Sequence, residues 1–453
     1  MRLGNFLTEQ DERIKVIILT SKKDGGSSED LFDTAEKFKK LCEKKKLEHY
    51  VAFAENSYIS KKDGEITIHN SDDTKGFKIH KNNTVVVVRG SVDNLRVGLD
   101  LLAQLENNGI FCINGRESIE ICADKYRTIL ALEDEGISCP RTALITNEDG
   151  LKDAFQRIGS KFPCILKTLT GSKGIGVFFA DSWMGMKSTL QAMWKINENT
   201  ELIIQEYIEA EFDMRIHVLN GEVIAAMKRF KIENDFRSNY SLGGEIEELE
   251  VDDKQKEIAI KAAKAVGAIW AGVDVMDKKG KLVVIEVNSS PGTEGIEKAT
   301  GKKVTETVLN YVIDKSHWKN IKMTECGYIE KIKIEKVGIF DAKMDTGNSG
   351  YCVIHADKWK KSEGEIVWDI GDKTVVSKLK EIRPLRIGGL DSRIEKRPVI
   401  MLDVSFNGEK YENVRFTFSN RKDLSTPVLM NRLFLRRASL SVNSNLKYRL
   451  SEK

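Results

Sequence analysis

A carboxylate inside an apolar strand is the feature that most narrows what this chain can fold into. The run Val283-Val284-Ile285-Glu286-Val287 leads directly into Asn288, and a short turn over 277–280 separates it from a second strand-like stretch, 272–276, that carries Asp274. An unbroken series of β-branched residues marks a strand covered on both faces. A charge placed there is costly unless it is paired or bound to a metal. Glu286 and Asn288 stand two apart and share one face of their strand, and the turn brings Asp274 alongside them. Two carboxylates and an amide oxygen are hard ligands that suit Mg²⁺, or Mn²⁺ in the same role. An exposed acidic face is the competing reading, and it leaves the apolar neighbours unexplained.

Toward the N-terminus, strands and amphipathic helices alternate. Residues 15–19 read as a buried strand. Over 29–46, Leu31, Ala35, Phe38 and Leu41 recur at helical spacing, and a second strand spans 83–89. A second helix spans 94–107, with Leu95, Leu99, Leu102 and Leu105 on one side. This alternation predicts a parallel α/β layer. A middle region begins near Ile113, with strands expected at 164–167, 177–179, 202–207, 213–219, 221–229, 272–276 and 281–287 and a helix at 255–266. The polar stretch 314–324 reads as a linker. From Lys331 onward, short strands with Gly or Asn turns predict an all-β domain, and the slight positive charge of the chain resides there.

Two further groups in the middle region point to phosphate chemistry. Gly171-Ser172-Lys173-Gly174-Ile175-Gly176 lies between two strands, where glycines let backbone N–H groups approach a phosphate. The loop lacks a Walker ending, and a plain hairpin has the same composition. A set of cations, Lys125, Lys167, Arg215, Arg229 and Arg237, accompanies it. Lys167 ends an apolar strand just before the glycines, Asp213 and Arg215 share a face, and Gln205-Glu206-Tyr207 crosses from strand to loop, where backbone groups could read an adenine edge. Each residue alone reads as well as an ordinary surface charge.

In their order, these residues resemble one family. Asp124-Lys125, Ile165-Leu166-Lys167, the glycine loop, Gln205-Glu206-Tyr207-Ile208, Asp213-Met214-Arg215, Arg237-Ser238-Asn239, Gly272-Val273-Asp274 and Glu286-Val287-Asn288-Ser289-Ser290-Pro291-Gly292 look like an ATP-grasp ligase of the RimK-type α-L-glutamate ligase group. The resemblance covers roughly 15–315. It implies an α/β (α+β) ATP-grasp fold, with a pre-ATP-grasp α/β lobe at 1–112 and the ligase domain at 113–315. It further implies that Lys125, Lys167 and the loop residues Gly171, Ser172, Lys173, Gly174 and Gly176 hold the phosphates of ATP. Gln205, Glu206 and Tyr207 would lie at the adenine, Asp213 at the ribose, and Arg237, Ser238 and Asn239 along the nucleotide. Arg215, Arg229 and Arg237 would act on the reacting groups, and Asp274, Glu286 and Asn288 would hold Mg²⁺. The implied reaction phosphorylates a carboxylate and lets an amine displace the phosphate. The partners implied are a peptide or protein substrate and a free amino acid, with glutamate expected.

The tail carries a second resemblance. A strand, 340–344, runs into Asp345-Thr346-Gly347, and Pro427-Val428-Leu429 comes later. With His355-Ala356 and Arg397-Pro398-Val399, this order resembles a single-domain retropepsin-like family named for ATP-dependent zinc proteases, here at 325–453. Asn431 stands where that family has glycine. Peptide cleavage by Asp345 would require a second Asp345 from another subunit, the two sharing one proton, which implies a homo-oligomer, a dimer or tetramer. An all-β docking domain is the alternative.

Composition bounds the remaining possibilities. Lys+Arg number 72 and Asp+Glu 69, which argues against a dedicated nucleic-acid binder, and no apolar run approaches a membrane span. Seven cysteines without a CxxC pair, and Asp11 and Glu12 where a signal peptide would be apolar, lead to the expectation of a cytoplasmic protein with reduced thiols. Three rivals to the peptide ligase remain: a peptidase regulated by its ATP site, a ligase for a small-molecule acid with a non-catalytic β domain, and a binding module built on a dead ligase.

Overall fold

The computed structural model describes residues 13–21, 33–62, 64–71, 73–90, 96–170, 176–198, 200–231, 244–318, 324–348, 350–362, 364–387, 393–422, 424–438 and 440–451. Two compact units, 1–318 and 319–453, make up the chain. No described helix is long and apolar enough to cross a membrane.

The first unit opens with a four-stranded parallel sheet in the order Glu48–Phe53, Lys15–Thr20, Thr84–Val88, Phe111–Ile113. Both faces are covered, as a parallel sheet requires. Val16 and Ile18 pack with Phe38 of the helix Asp33–Lys44, whereas Ile17 and Leu19 pack with Leu101, Leu102 and Leu105 of the helix Arg96–Asn107. The alternation of odd and even residues between two cores is the period of two expected of a strand. An element that the sequence pattern did not signal, a three-stranded antiparallel sheet of Ser57–Lys62, Glu65–Asn70 and Phe77–Ile79, is inserted in the chain between Glu48–Phe53 and Thr84–Val88.

Two antiparallel sheets follow. The smaller has the order Val177–Ala180, Cys164–Thr168, Leu202–Glu206, Thr142–Ile145. Its face formed by Cys164, Leu166, Leu202 and Ile204 is buried against the helices Leu151–Arg157 and Trp183–Ile196. The larger has five strands, ordered Ile246–Glu248, Glu222–Phe230, Phe212–Leu219, Trp270–Lys278, Lys281–Asn288. On one face, Met214, Ile216, Val218, Ala226, Val273, Val275, Val284 and Val287 pack on Ala259, Ala262, Ala263 and Val266 of the helix Asp253–Ala265 and its end. The last two strands are joined by Lys279 and Gly280, both at positive φ (55° and 83°), the geometry of a tight hairpin turn that follows the sheet's twist.

Polar though it is, the expected linker 314–324 begins as part of the first unit. Lys315–Trp318 forms a 3₁₀ turn, Trp318 donates its indole N–H to the Val312 carbonyl at 2.6 Å, and its ring stacks on Phe111. A single apolar anchor outweighs the polar composition there.

The second unit is a ten-stranded sheet that closes partly on itself through pairing of Lys333 and Ile334 with Ser405 and Val404. Its first strand, Thr324–Ile334, pairs in parallel with its last, Leu440–Lys447. Glu330, fully buried on that first strand, accepts backbone N–H groups from Gly327, Arg449, Leu450 and Ser451 at 2.7–3.1 Å. This is the expected all-β domain, with one short helix, Arg432–Arg437, beside the strands.

Candidate active site

The face of the larger sheet opposite its apolar side carries the charged residues. Strand register places Arg215 opposite Asp274, Asp274 opposite Glu286, Gly272 opposite Asn288, and Asp213 opposite Arg229. Directly opposed residues project to one side, so these residues form one polar surface. A bulge after Asp274 makes Ile285 the extra residue of its strand. That bulge is why Glu286 and Val284, two apart in sequence, lie on opposite faces of the sheet.

Asp274 is buried, and two arginines hold its carboxylate. Arg215 donates through Nε to one oxygen and through Nη2 to the other at 2.7 Å, and Arg229 Nη2 lies 2.9 Å from the latter. Burial opposes ionisation of Asp274, but Arg215 and Arg229 outweigh it and hold the carboxyl below the usual range. Arg229 also donates to Asp213 at 2.6 Å. It is buried itself, and the two carboxylates raise its pKa against that burial.

The smaller sheet supplies the other wall. Lys167 and Gln205 share its polar face, with Lys167 Nζ donating to Gln205 Oε1 at 2.8 Å and Gln205 Nε2 donating to Thr142 Oγ1 at 2.9 Å. Burial pushes the Lys167 pKa down to about 8, with Lys125 adding to the effect and Glu286 and Asp274 opposing it. The backbone N–H of Lys125, at the start of the helix Lys125–Asp134, donates to the Leu169 carbonyl at 3.0 Å. A small cavity is lined by Lys125, Thr128, Lys167, Gln205, Ile285 and Glu286, so both sheets and the helix meet there.

Several expected roles meet a different arrangement. Asp213, expected at the ribose, is buried and paired with Arg229. The Glu206 carboxylate is taken by Arg141 (2.9 and 2.7 Å) and Lys278 (2.8 Å), neither of which the sequence pattern marked. The backbone N–H of Glu206 is also taken, donating to the Arg141 carbonyl at 2.9 Å. Tyr207 receives a hydrogen bond from Lys231 at 2.9 Å and meets Phe179 edge-on. Gly171, Ser172, Lys173 and Gly174 of the glycine loop, and Arg237, Ser238 and Asn239, lie outside the described residues.

The donor set fits a hard cation. Asn288 commits its Nδ2 to the Gly272 carbonyl at 3.3 Å, which leaves its amide oxygen available, and the Glu286 carboxylate has no hydrogen-bond partner among the described residues. Asp274 brings oxygens already shared with arginines, and each carboxylate oxygen has a second lone pair.

In the second unit, Asp345 follows the strand Gly338–Met344. Its backbone N–H donates to the Met430 carbonyl and its carboxylate accepts from Gly347, both at 2.9 Å. Asn431, in place of glycine, has a structural use: its side-chain oxygen accepts from Phe434 N–H at 2.9 Å, capping the helix Arg432–Arg437.

Residues 122–312 match the family model of the RimK-like ATP-grasp domain, and residues 325–453 match that of the retropepsin-like aspartic endopeptidase RimB. A "Probable alpha-L-glutamate ligase" of Vibrio atlanticus (strain LGP32) is 37% identical over 217 residues, which is 48% of this chain and 71% of that protein. A "Probable alpha-L-glutamate ligase 2" of Pseudoalteromonas atlantica is 37% identical over 227 residues, 50% of this chain and 74% of the relative. Among solved structures, the ATP-grasp ligase PsnB, complexed with a phosphomimetic variant of its minimal precursor, Mg and ADP, superposes with a TM-score of 0.51 at 18% identity, covering 67% of this chain and 99% of PsnB. The macrocyclase MdnC from Microcystis aeruginosa MRC, bound to its precursor peptide MdnA, gives 0.51 at 12% identity, covering 66% and 99%. At such identities the two structures speak for the fold alone.

Proposed function

The chain belongs to the RimK-type ATP-grasp ligases, ATP-dependent enzymes, and on that premise we propose that it activates a carboxylate as an acyl-phosphate and joins an amino acid, glutamate, to a peptide or protein terminus. The observation that carries this reading is the cavity where Lys125 and Lys167 face Glu286 from the opposite wall. In that reading the two lysines bind the phosphates of ATP, and the strand end at Gln205, Glu206 and Tyr207 borders the adenine. Arg215 and Arg229, fixed by Asp274 and Asp213, present fixed positive charge toward the phosphoryl oxygens. Glu286, Asn288 and Asp274 would hold Mg²⁺, or Mn²⁺, which when bound neutralises phosphate charge.

Hydroxylamine tests the activation step. Added in place of the amino acid, it should yield a hydroxamate only when ATP and the carboxylate substrate are both present. ADP release without hydroxamate, on substrates that are turned over, counts against the reading.

The second unit supports an additional role: trimming of the same product by paired Asp345 carboxylates in a homo-oligomer. Asp345→Asn in the full chain should leave ligation intact and lengthen the products seen by mass spectrometry. Products of unchanged length would make the unit a docking module instead.

A further inference from the structure

Where the strand ends of the first sheet meet the larger sheet, a fully buried guanidinium uses only part of its hydrogen-bonding capacity. Arg89 follows the strand Thr84–Val88 and is 0% exposed. Its Nη2 donates to the Pro291 carbonyl at 2.6 Å, and its Cζ lies 4.4 Å from the Trp270 ring centre and 5.7 Å from that of Phe38. Nε and Nη1 have no hydrogen-bond partner among the described residues, and no described carboxylate pairs with the group. Burial lowers its pKa to about 9, which leaves it charged at neutral pH.

The surroundings share this property. His217, also 0% exposed, has neither ring nitrogen partnered among the described residues, and the same holds for Trp270 Nε1 and Ser290 Oγ. Loose packing of the whole junction is not the cause. Asn114, 1% exposed, bridges the same two layers and is saturated: Nδ2 donates to the Trp270 and Ser289 carbonyls at 2.6 Å, and Oδ1 accepts from Ile269 and Trp270 at 2.8 and 3.0 Å. The unpartnered groups also adjoin the reacting surface. A Cβ on Gly272 would lie 2.7 Å from Pro291 Cβ, 3.2 Å from Arg215 Cδ and 3.5 Å from His217 Nε2, so these three side chains converge two residues from Asp274.

A buried charge without a counter-charge is among the most costly arrangements a fold can keep. It is retained without loss where a ligand supplies the missing anion. Aromatic walls and a single cation suit a monoanion, whereas the triphosphate is matched by the two lysines of the other wall. We propose that Arg89, with His217 and Ser290 beside it, binds a carboxylate of the incoming amino acid that the ligation does not consume. This rests on the amino-acid ligase reading above. Glutamate joined through its amine keeps both its α- and its γ-carboxylate, and either could fill the site.

The test compares the wild-type chain with Arg89→Met, using glutamate, its α-amide (isoglutamine) and its γ-amide (glutamine) as amine substrates. The wild type should reject one of the two amides, and the rejected one identifies the carboxylate bound. Arg89→Met should raise KM for glutamate by at least about 50-fold, the scale of a lost charged hydrogen bond, and lose the discrimination, with KM for ATP within about twofold of wild type. Its melting temperature should be no lower than that of the wild type, since an uncompensated charge is exchanged for an apolar chain of similar length. A variant that melts lower and loses all three substrates in parallel makes Arg89 structural and overturns the proposal, as does an unchanged KM for glutamate. If Arg89→Met does not fold, Arg89→Lys carries the same KM readout, and failure of both to fold also overturns it. A wild-type chain that ligates no amino acid sinks the ligase reading and this site with it, whereas wild-type ligation with an indifferent variant sinks the site alone.

Discussion

Glu286→Gln is expected to reduce amino-acid-dependent ADP formation by at least about 10²–10³-fold while leaving the fold intact, the scale seen when one preorganised charge-stabilising group is removed. The substitution keeps size and shape, and the Glu286 carboxylate makes no hydrogen bond among the described residues that the amide would break. What changes is the charge on the wall facing Lys125 and Lys167, and with it the only carboxylate lining the small cavity described there. The assay is ADP release at saturating Mg²⁺, with the melting temperature as the control for folding. Near-normal turnover removes Glu286 from the machinery.

Arg229→Gln should cost stability on the scale of a broken buried ion pair, about 3–5 kcal/mol. Two buried carboxylates, Asp213 and Asp274, depend on that guanidinium. The pH dependence has a definite sign. The folded-state pKa of Asp274 is lowered, so its contribution is fully present above the ordinary carboxylate pKa, about 4, and is lost as pH falls through the lower folded value. With Arg229 gone, Asp213 and Asp274 lose the compensating charge they share, and protonation of these carboxylates relieves the variant. Its deficit in denaturant unfolding should therefore be largest near neutral pH and shrink on acidification. Adding Asp213→Asn should recover part of the loss. A deficit that is the same at both pH values shows that the lost stability comes from packing.

Much of the ligase part was legible because its signals are local. Val16-Ile17-Ile18-Leu19 has no alternation and can only be a strand covered on both faces, and Glu286-Val287-Asn288 stands out against its own run. The links between strands were not legible. Arg229, Asp213 and Asp274 come from three strands, and only register reveals that one guanidinium serves both acids. The apolar run Val283-Val284-Ile285 also conceals the bulge at Ile285, since without alternation there is no parity to break. The hairpins at 57–79 were missed because Lys61, Lys62, Glu65 and Lys78 dilute the alternation of Ile59, Ile66, Ile68 and Ile79. Arg89 is the last residue of the expected strand 83–89, and its burial depends on Phe38 and Trp270, distant in sequence.

Glu330 sets an order of events for the second unit. Its carboxylate is buried by residues 449–451, synthesised about 120 positions later, and the strand that bears it pairs with the last strand of the sheet. A nascent chain therefore carries this strand with a stranded charge and an open edge until the final segment emerges, so closure of the sheet waits on its last turn. The first unit waits in the same way: Val16, Ile18 and Phe38 share a core with Val304, Val308, Leu309 and Val312, and Asn114 is saturated only by Trp270 and Ser289, so each unit closes only when its own last elements have emerged.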